Sequence, residues 1–462
     1  MKIKLSLIVS FFIFYLGFSC TSNKFRQPGA TVEIKNACPP ETKPFPSYDA
    51  KFAPSEQWCR DNPSARIFQL SQNFDQAEKV TGEALPWKKY ASETADFKTN
   101  WKKYLFAVLR YAYEGNIEKD WFVQENERRR WFHAPWMHAS KTGREFLRGL
   151  TQERGSCLKE LTLGKICETD ESRPIQNWAV SVYNEAGGYY FKQVWQEMYN
   201  KEFDASRPNP NPNPKNFGDE GFPEGTVAVK LLFTAGELDY LKKSVTWEAD
   251  INRGQAPPQK MRLLQIDVAV KDKISPTGWV FGTFIYHDDA PEMEYSDNLA
   301  EDKRVWLKMI PVGLMFGNDV GEFPEIKEPF ETFLNDAIPV RQHYGCRNRL
   351  NGPVDNARSS CVSCHALAEA AQDFKPISFQ EKMNCASEED VKFWFKNINP
   401  ASRSESEKTF SKSTPDRKIY SLDYSLQLQK GIERCCEANV CKCAPPSATP
   451  QKPHEITKDG VF

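Results

Sequence analysis

Cys361-Val362-Ser363-Cys364-His365 is the stretch of this 462-residue chain whose residue types and spacing can do chemistry. It reads C-x-x-C-H, the attachment signature for covalently bound haem c. Two thiols three positions apart can each form a thioether with a vinyl group of one porphyrin. The adjacent imidazole can then ligate the iron from the proximal side. With 13 cysteines and 6 histidines in the chain, chance would produce the pattern only about 0.005 times. Two other chemistries use part of it. A thioredoxin-type dithiol follows a strand in a βαβ unit, whereas 345–360 (GCRNRLNGPVDNARSS) is polar and irregular. Zinc would need a fourth ligand and would more naturally use a second C-x-x-C. Cys435, Cys436, Cys441 and Cys443 could lend thiols to such a site, but a histidine directly after the second cysteine favours one haem c.

His365 fills one axial position, and the opposite one separates an electron carrier from a haem enzyme. A methionine there raises the potential and suits electron transfer; an open position suits small ligands. Met383, in the loop-like SFQEKMNCASEED, is the sole methionine after His365 and the candidate distal iron ligand. His454 is the sole later histidine, and His343 precedes the motif in a Gln-His-Tyr-Gly-Cys turn. His133 and His138 flank Pro135, a poor spacing for chelation from a helix, so packing and loop hydrogen bonds are their ordinary role. His287 heads a His-Asp-Asp turn, and Met309 and Met315 lie in a run that reads as core. Arg128-Arg129-Arg130 could meet haem propionates or a partner, although a charge run is ordinarily a solvated face. There is no Walker pattern, H-E-x-x-H or Ser/His/Asp order.

Export fits this chemistry. Lys2 and Lys4 precede an apolar run from Leu5 to Phe18, short for a transmembrane span. Gly17-Phe18-Ser19-Cys20 then resembles the lipobox of bacterial lipoproteins, with Gly17 where a leucine is usual and Leu16 one place back. That resemblance implies cleavage before Cys20, lipidation of its thiol, and attachment to a bacterial envelope membrane through lipid; ordinary secretion is the alternative. Setting aside Cys20, Cys361 and Cys364 leaves ten cysteines for disulfides in an oxidising compartment. Cys157 and Cys167, Cys38 and Cys59, and Cys346 and Cys385 bracket short or loop-like segments, while 435–443 reads as a disulfide-tied tail; connectivity is not legible. With 61 basic and 62 acidic residues, no global field recruits nucleic acid.

Around the motif the expected fold class is α+β. Residues 1–20 read as a signal peptide, 21–45 as a tether, and 46–222 as a helical, aromatic-rich region. Within it Phe97 to Tyr113 has helical spacing, Thr142-Gly143-Arg144-Glu145 reads as a capping box, and Asn177 to Tyr199 is aromatic-rich, interrupted at Gly187-Gly188, and resumes as a short amphipathic helix around Val194-Trp195. Residues 223–320 hold β-rich runs at Thr226–Thr234, Ser244–Ile251, Met261–Val270, Gly278–Tyr286 and Trp306–Phe316, spaced for an antiparallel sheet. Residues 321–445 form the expected small all-α haem domain, with helices at Ala366–Ala371, after Ser387, and at Leu422–Ile432, followed by a polar tail at 446–462.

The motif and this helical setting resemble the mono-haem c-type cytochromes. The rest of the chain, with Trp131-Phe-His-Ala-Pro-Trp-Met-His138, Thr142-Gly-Arg-Glu145 and Gly278-Trp-Val-Phe-Gly-Thr-Phe284, resembles a family of large exported cytochrome-like proteins without an established activity. The cytochrome resemblance implies three short helices around a porphyrin and a distal methionine several helices downstream; the position of Met383 departs from that pattern. Three functions follow. The first is single-electron transfer in the bacterial cell envelope with a redox partner. The second is a haem oxidoreductase, peroxidase-like or a substrate oxidase, with an open distal site. The third is a non-catalytic envelope interaction protein.

Overall fold

The computed structural model describes residues 56–437 apart from 63–65, 72, 80–84, 136, 138–143, 168–172, 196–220, 297, 324–325, 327–328, 340–343, 372–382, 403–407 and 412–417. Strands β1 (Trp131–Phe132), β2 (Thr151–Gln152), β3 (Asn177–Asn184), β4 (Val227–Thr234), β5 (Thr246–Ala249), β6 (Gln259–Lys271), β7 (Trp279–Tyr286), β8 (Met309–Met315) and β9 (Thr332–Leu334) make one antiparallel sheet. Its order is β1-β3-β4-β6-β7-β8-β9, with β2 also on β3 and β5 also on β6. Every β-rich run expected between 226 and 316 supplies a strand. The sheet also recruits β1, β2 and β3 from the region expected to be helical, and β9 from the expected haem region, so both expected boundaries run through it.

The sheet is covered on both faces. Helices α1 (Glu56–Asp61) and α2 (Phe97–Tyr113) come first in the chain. Helix α2 buries Trp101, Tyr104, Leu105, Val108, Leu109 and Ala112, the stripe its helical spacing dictates. It lies on the face of Val280, Gly282 and Phe284, where Phe106 meets Phe284 at 5.7 Å. Gly282 is what lets α2 settle, because a Cβ there would stand 2.2 Å from Leu105 Cδ2. A short helix α3 (Leu158–Leu163) lies between β2 and β3, and α4 (Glu185–Val194) follows β3.

Two parts of this region, expected to be helical, are corrected. Asn177–Asn184 is a strand with all eight residues buried; an apolar run covered on both faces loses the alternation that marks a half-buried strand. The helix starts only where the Asn184 side chain accepts from the Gly187 amide, and Gly187 and Gly188 lie inside it. Thr142 and Gly143 of the expected capping box lie outside the described residues, and Arg144–Leu150 is a turn where a helix was expected. The buried Glu145 carboxylate accepts backbone N–H groups of Leu147, Arg148, Leu150 and Asp250, and so ties down a loop.

The C-terminal segment covers the opposite face, that of Phe281 and Thr283. It contains α5 (Cys361–Ala366), β10 (Glu369–Ala371), α6 (Glu388–Trp394), β11 (Ile419–Ser421) and α7 (Leu426–Glu437). The helix expected over Ala366–Ala371 is corrected: α5 ends at Ala366, and Glu369–Ala371 pairs antiparallel with Ile419–Ser421. Ser387 caps α6 as expected, accepting from Asp390 N–H. Leu350, Val362, Ala366, Tyr424 and Leu428 share one hydrophobic core with the sheet. Disulfides Cys157–Cys167 and Cys346–Cys385 are formed, and Cys59, Cys435 and Cys436 are disulfide-bonded as well. Among the described residues no helix is long and apolar enough to cross a membrane.

Candidate functional site

The site is built on α5. Ser360 and Ser363 cap it reciprocally: Ser360 Oγ accepts from the Ser363 amide at 3.0 Å, and Ser363 Oγ accepts from the Ser360 amide at 2.9 Å. The Cys361 amide donates to the Leu350 carbonyl, and the Cys346–Cys385 disulfide ties the preceding loop to the approach to α6. A rotation of about 100° per residue puts Cys361, Cys364 and His365 on one side of α5 and Ser363 on the other.

The two thiols stand apart chemically from the other cysteines. Cys361 and Cys364 are free, while the other described cysteines are all in disulfides. Burial pushes the Cys361 thiol well up, with Asp355 and Asp267 adding to the effect, and pushes Cys364 up to about 12. Reactive dithiols have depressed values, the opposite direction from these two thiols. Of the tail cysteines that could lend thiols to zinc, Cys435 and Cys436 are already disulfide-bonded, and Cys441 and Cys443 lie outside the described residues. The cluster of Cys157, Glu160 and Cys167 likewise has its two thiols spent in one disulfide.

His365 is held by its ring. Nδ1 lies 2.8 Å from the Tyr424 carbonyl oxygen. A carbonyl can only accept, so Nδ1 carries the proton and Nε2 keeps its lone pair. Burial lowers the imidazole to about 4, against the raising effect of the Tyr424 carbonyl. It is therefore neutral and a competent ligand near pH 7. The ring packs on Phe281 of β7, centroids 4.9 Å apart.

Facing the motif is a polar row that the sequence reasoning missed. Lys230, Asp267 and Thr283 lie opposite one another on β4, β6 and β7. Thr283 Oγ1 donates to Asp267 at 2.8 Å, Gln265 Nε2 donates to both Asp267 oxygens at 2.8 Å, and it reaches Asp355 at 3.3 Å. Lys230 pairs with Glu153 at 3.4 Å. Burial, with Asp355 nearby, pushes Asp267 up to about 7. Lys230, Asp267, Cys361, Cys364 and His365 are all half-buried. The legible signal was a lysine and an aspartate interrupting the apolar strands VAVKLLFT and LQIDVAVK.

The other expected site residues fall elsewhere. Met383 is buried with Cys346, Leu367, Val391, Trp394 and Phe395, and its sulfur accepts from Ser363 Oγ at 3.5 Å. That is the side of α5 away from the thiols and His365. His133 is buried and its Nδ1 accepts from the Ser71 amide. His287 Nδ1 accepts from the Asp289 amide in a turn. Met309 and Met315 are core. Arg129 pairs with Glu114 and lies over Tyr111, and Arg130 pairs with Glu185. Cys20, Cys38, His138, His343, Cys441, Cys443 and His454 lie outside the described residues.

Compared with protein-family models, with curated proteins and with solved structures, the chain finds no match. The donor set itself is a fit for a covalent haem c: two free thiols and a neutral, oriented imidazole on one helix face.

Proposed function

We propose that this chain is an exported, lipid-anchored protein of the bacterial cell envelope that carries one haem c and passes single electrons. Cys361 and Cys364 would hold the porphyrin through thioethers and His365 would ligate its iron through Nε2. The haem supplies, when bound, a one-electron iron couple. The chain's part is to orient and shield: the Tyr424 carbonyl fixes the imidazole, Phe281 backs it, and the apolar core around Val362 and Ala366 keeps α5 against the sheet. The observation that carries this reading is the pair of free thiols, among disulfide-bonded cysteines, on the same helix face as an imidazole whose Nδ1 is already engaged.

One observation favours a second reading, a haem oxidoreductase with an open distal position: the Met383 sulfur is turned to the other side of α5. Visible spectra of the dithionite-reduced protein, before and after carbon monoxide, separate the two. Sharp low-spin bands unmoved by the gas mean two protein ligands and support electron transfer. A large shift means an exchangeable position and moves the reading to ligand chemistry. Replacing Cys361 and Cys364 together by Ala should abolish haem staining after denaturing electrophoresis, and covalent haem retained in that variant would sink both readings.

A further inference from the structure

The carbonyl that receives His365 comes from an unusual piece of backbone. Asp423 and Tyr424 both sit in the left-handed region, with φ of 47° and 64°. Two consecutive non-glycine residues there are strained, so the surroundings must hold them. The holders are specific. Lys271 Nζ, at the end of β6, donates to both carboxylate oxygens of Asp423 at 2.7 and 2.8 Å, and the pair is buried. Trp279 Nε1 at the start of β7 donates to Oδ1 at 2.8 Å, and the Phe222 amide donates to Oδ2 at 2.7 Å. Gly221 makes room, since a Cβ there would lie 2.2 Å from Oδ2. The Asp423 carboxylate is thus gripped by four donor contacts from the sheet side.

We propose that the Lys271–Asp423 ion pair is a positioning device for the iron ligand: it pins the left-handed turn so that the Tyr424 carbonyl stays on His365 Nδ1. The inference rests on the haem reading above and concerns residues outside the C-x-x-C-H motif. A hydrogen bond at Nδ1 fixes the ring and makes Nε2 a stronger donor. A stronger donor favours the oxidised iron, so loosening the turn should raise the reduction potential. A purely structural staple would change stability and leave the iron's equilibrium alone.

The test compares full-length holoprotein of wild type, Lys271→Met, Lys271→Arg and Trp279→Phe. Haem stain and haem content are read first, then the reduction potential and solvent exchange of the His365 Nδ1 proton by NMR. Lys271→Met should keep covalent haem, shift the reduced-to-oxidised ratio at fixed potential about tenfold toward reduced, equivalent to about 59 mV for one electron, and speed Nδ1 proton exchange. Lys271→Arg, which can grip the carboxylate with its fork, should restore both. If Lys271→Met does not fold, Trp279→Phe removes one donor and keeps the ion pair, and should show a smaller shift of the same sign. Covalent haem with an unmoved potential and unmoved proton exchange in the folded variants overturns the positioning role and leaves the haem reading standing. Wild type without covalent haem overturns the haem reading itself, and is seen before any variant is compared.

Discussion

Ser363 divides two environments across the width of one helix. On its own side the Met383 sulfur accepts its hydroxyl proton inside a pocket of Leu367, Val391, Trp394 and Phe395; on the other side lie the two thiols and His365. Met383→Ala should therefore behave as a core truncation, destabilising by about 2–5 kcal/mol, with the spin state of the iron unchanged. Denaturant melts and visible spectra of the same preparation check it. A conversion from low spin to high spin would put that sulfur on the iron after all. The C-x-x-C-H motif was legible because the chemistry proposed for it asks for particular residue types at a fixed short spacing. Tyr424 was not, because it serves through a backbone carbonyl 59 residues away that any residue type could provide. Lys271 and Asp423, 152 residues apart, carried no local sign of partnership.

At the scale of elements, legibility followed solvent contrast. Helix α2 has one buried stripe and one wet face, and its expected limits, Phe97 to Tyr113, match the helix. Strand β3 is buried throughout, so its sequence NWAVSVYN carries no alternation to read. Strands β10 and β11 are three residues each and owe their pairing to contacts outside themselves. One of those contacts titrates. The Glu369 carboxyl at the start of β10 is buried and accepts from the Phe410 and Ser411 amides, and burial pushes it up to about 7. Its unfolded value is near the usual 4.5. Between those values the folded chain binds more protons than the unfolded one, so this group erodes stability as pH rises through the window. Glu369→Gln has no proton to lose. The stability of the variant relative to wild type should rise from pH 4.5 to 7.5 by on the order of 3 kcal/mol, whatever its offset at low pH. Urea melts across that range measure it, and a pH-independent difference would mean that Glu369 titrates normally in the fold.

At the scale of the whole molecule, the chain is an α+β protein in which the motif-bearing segment is one layer of a larger structure. Helix α2 covers one face of the sheet and the C-terminal segment covers the other, with Phe281 packed on both His365 and Tyr424. An expectation of a separate small haem domain over 321–445 arises naturally from the sequence, because its helix signals resemble those of free-standing cytochromes. What the sequence does not display is that Leu350, Val362, Ala366, Tyr424 and Leu428 complete the sheet's core. Nor does it display that β9, inside that span, pairs with β8. Cut at residue 321, a fragment would expose these apolar side chains and leave the buried Asp423 carboxylate without Lys271 and Trp279. Removing one partner of a buried pair alone typically costs about 3–5 kcal/mol, which is a large share of a domain's net stability. A fragment of residues 321–462 should accordingly show no cooperative thermal transition and should be digested by protease under conditions where the full chain resists, while the full chain unfolds in one transition. A fragment that melts cooperatively, together with a full chain that unfolds in two steps, would restore an autonomous haem domain and make its contact with the sheet a docking surface instead of a shared core.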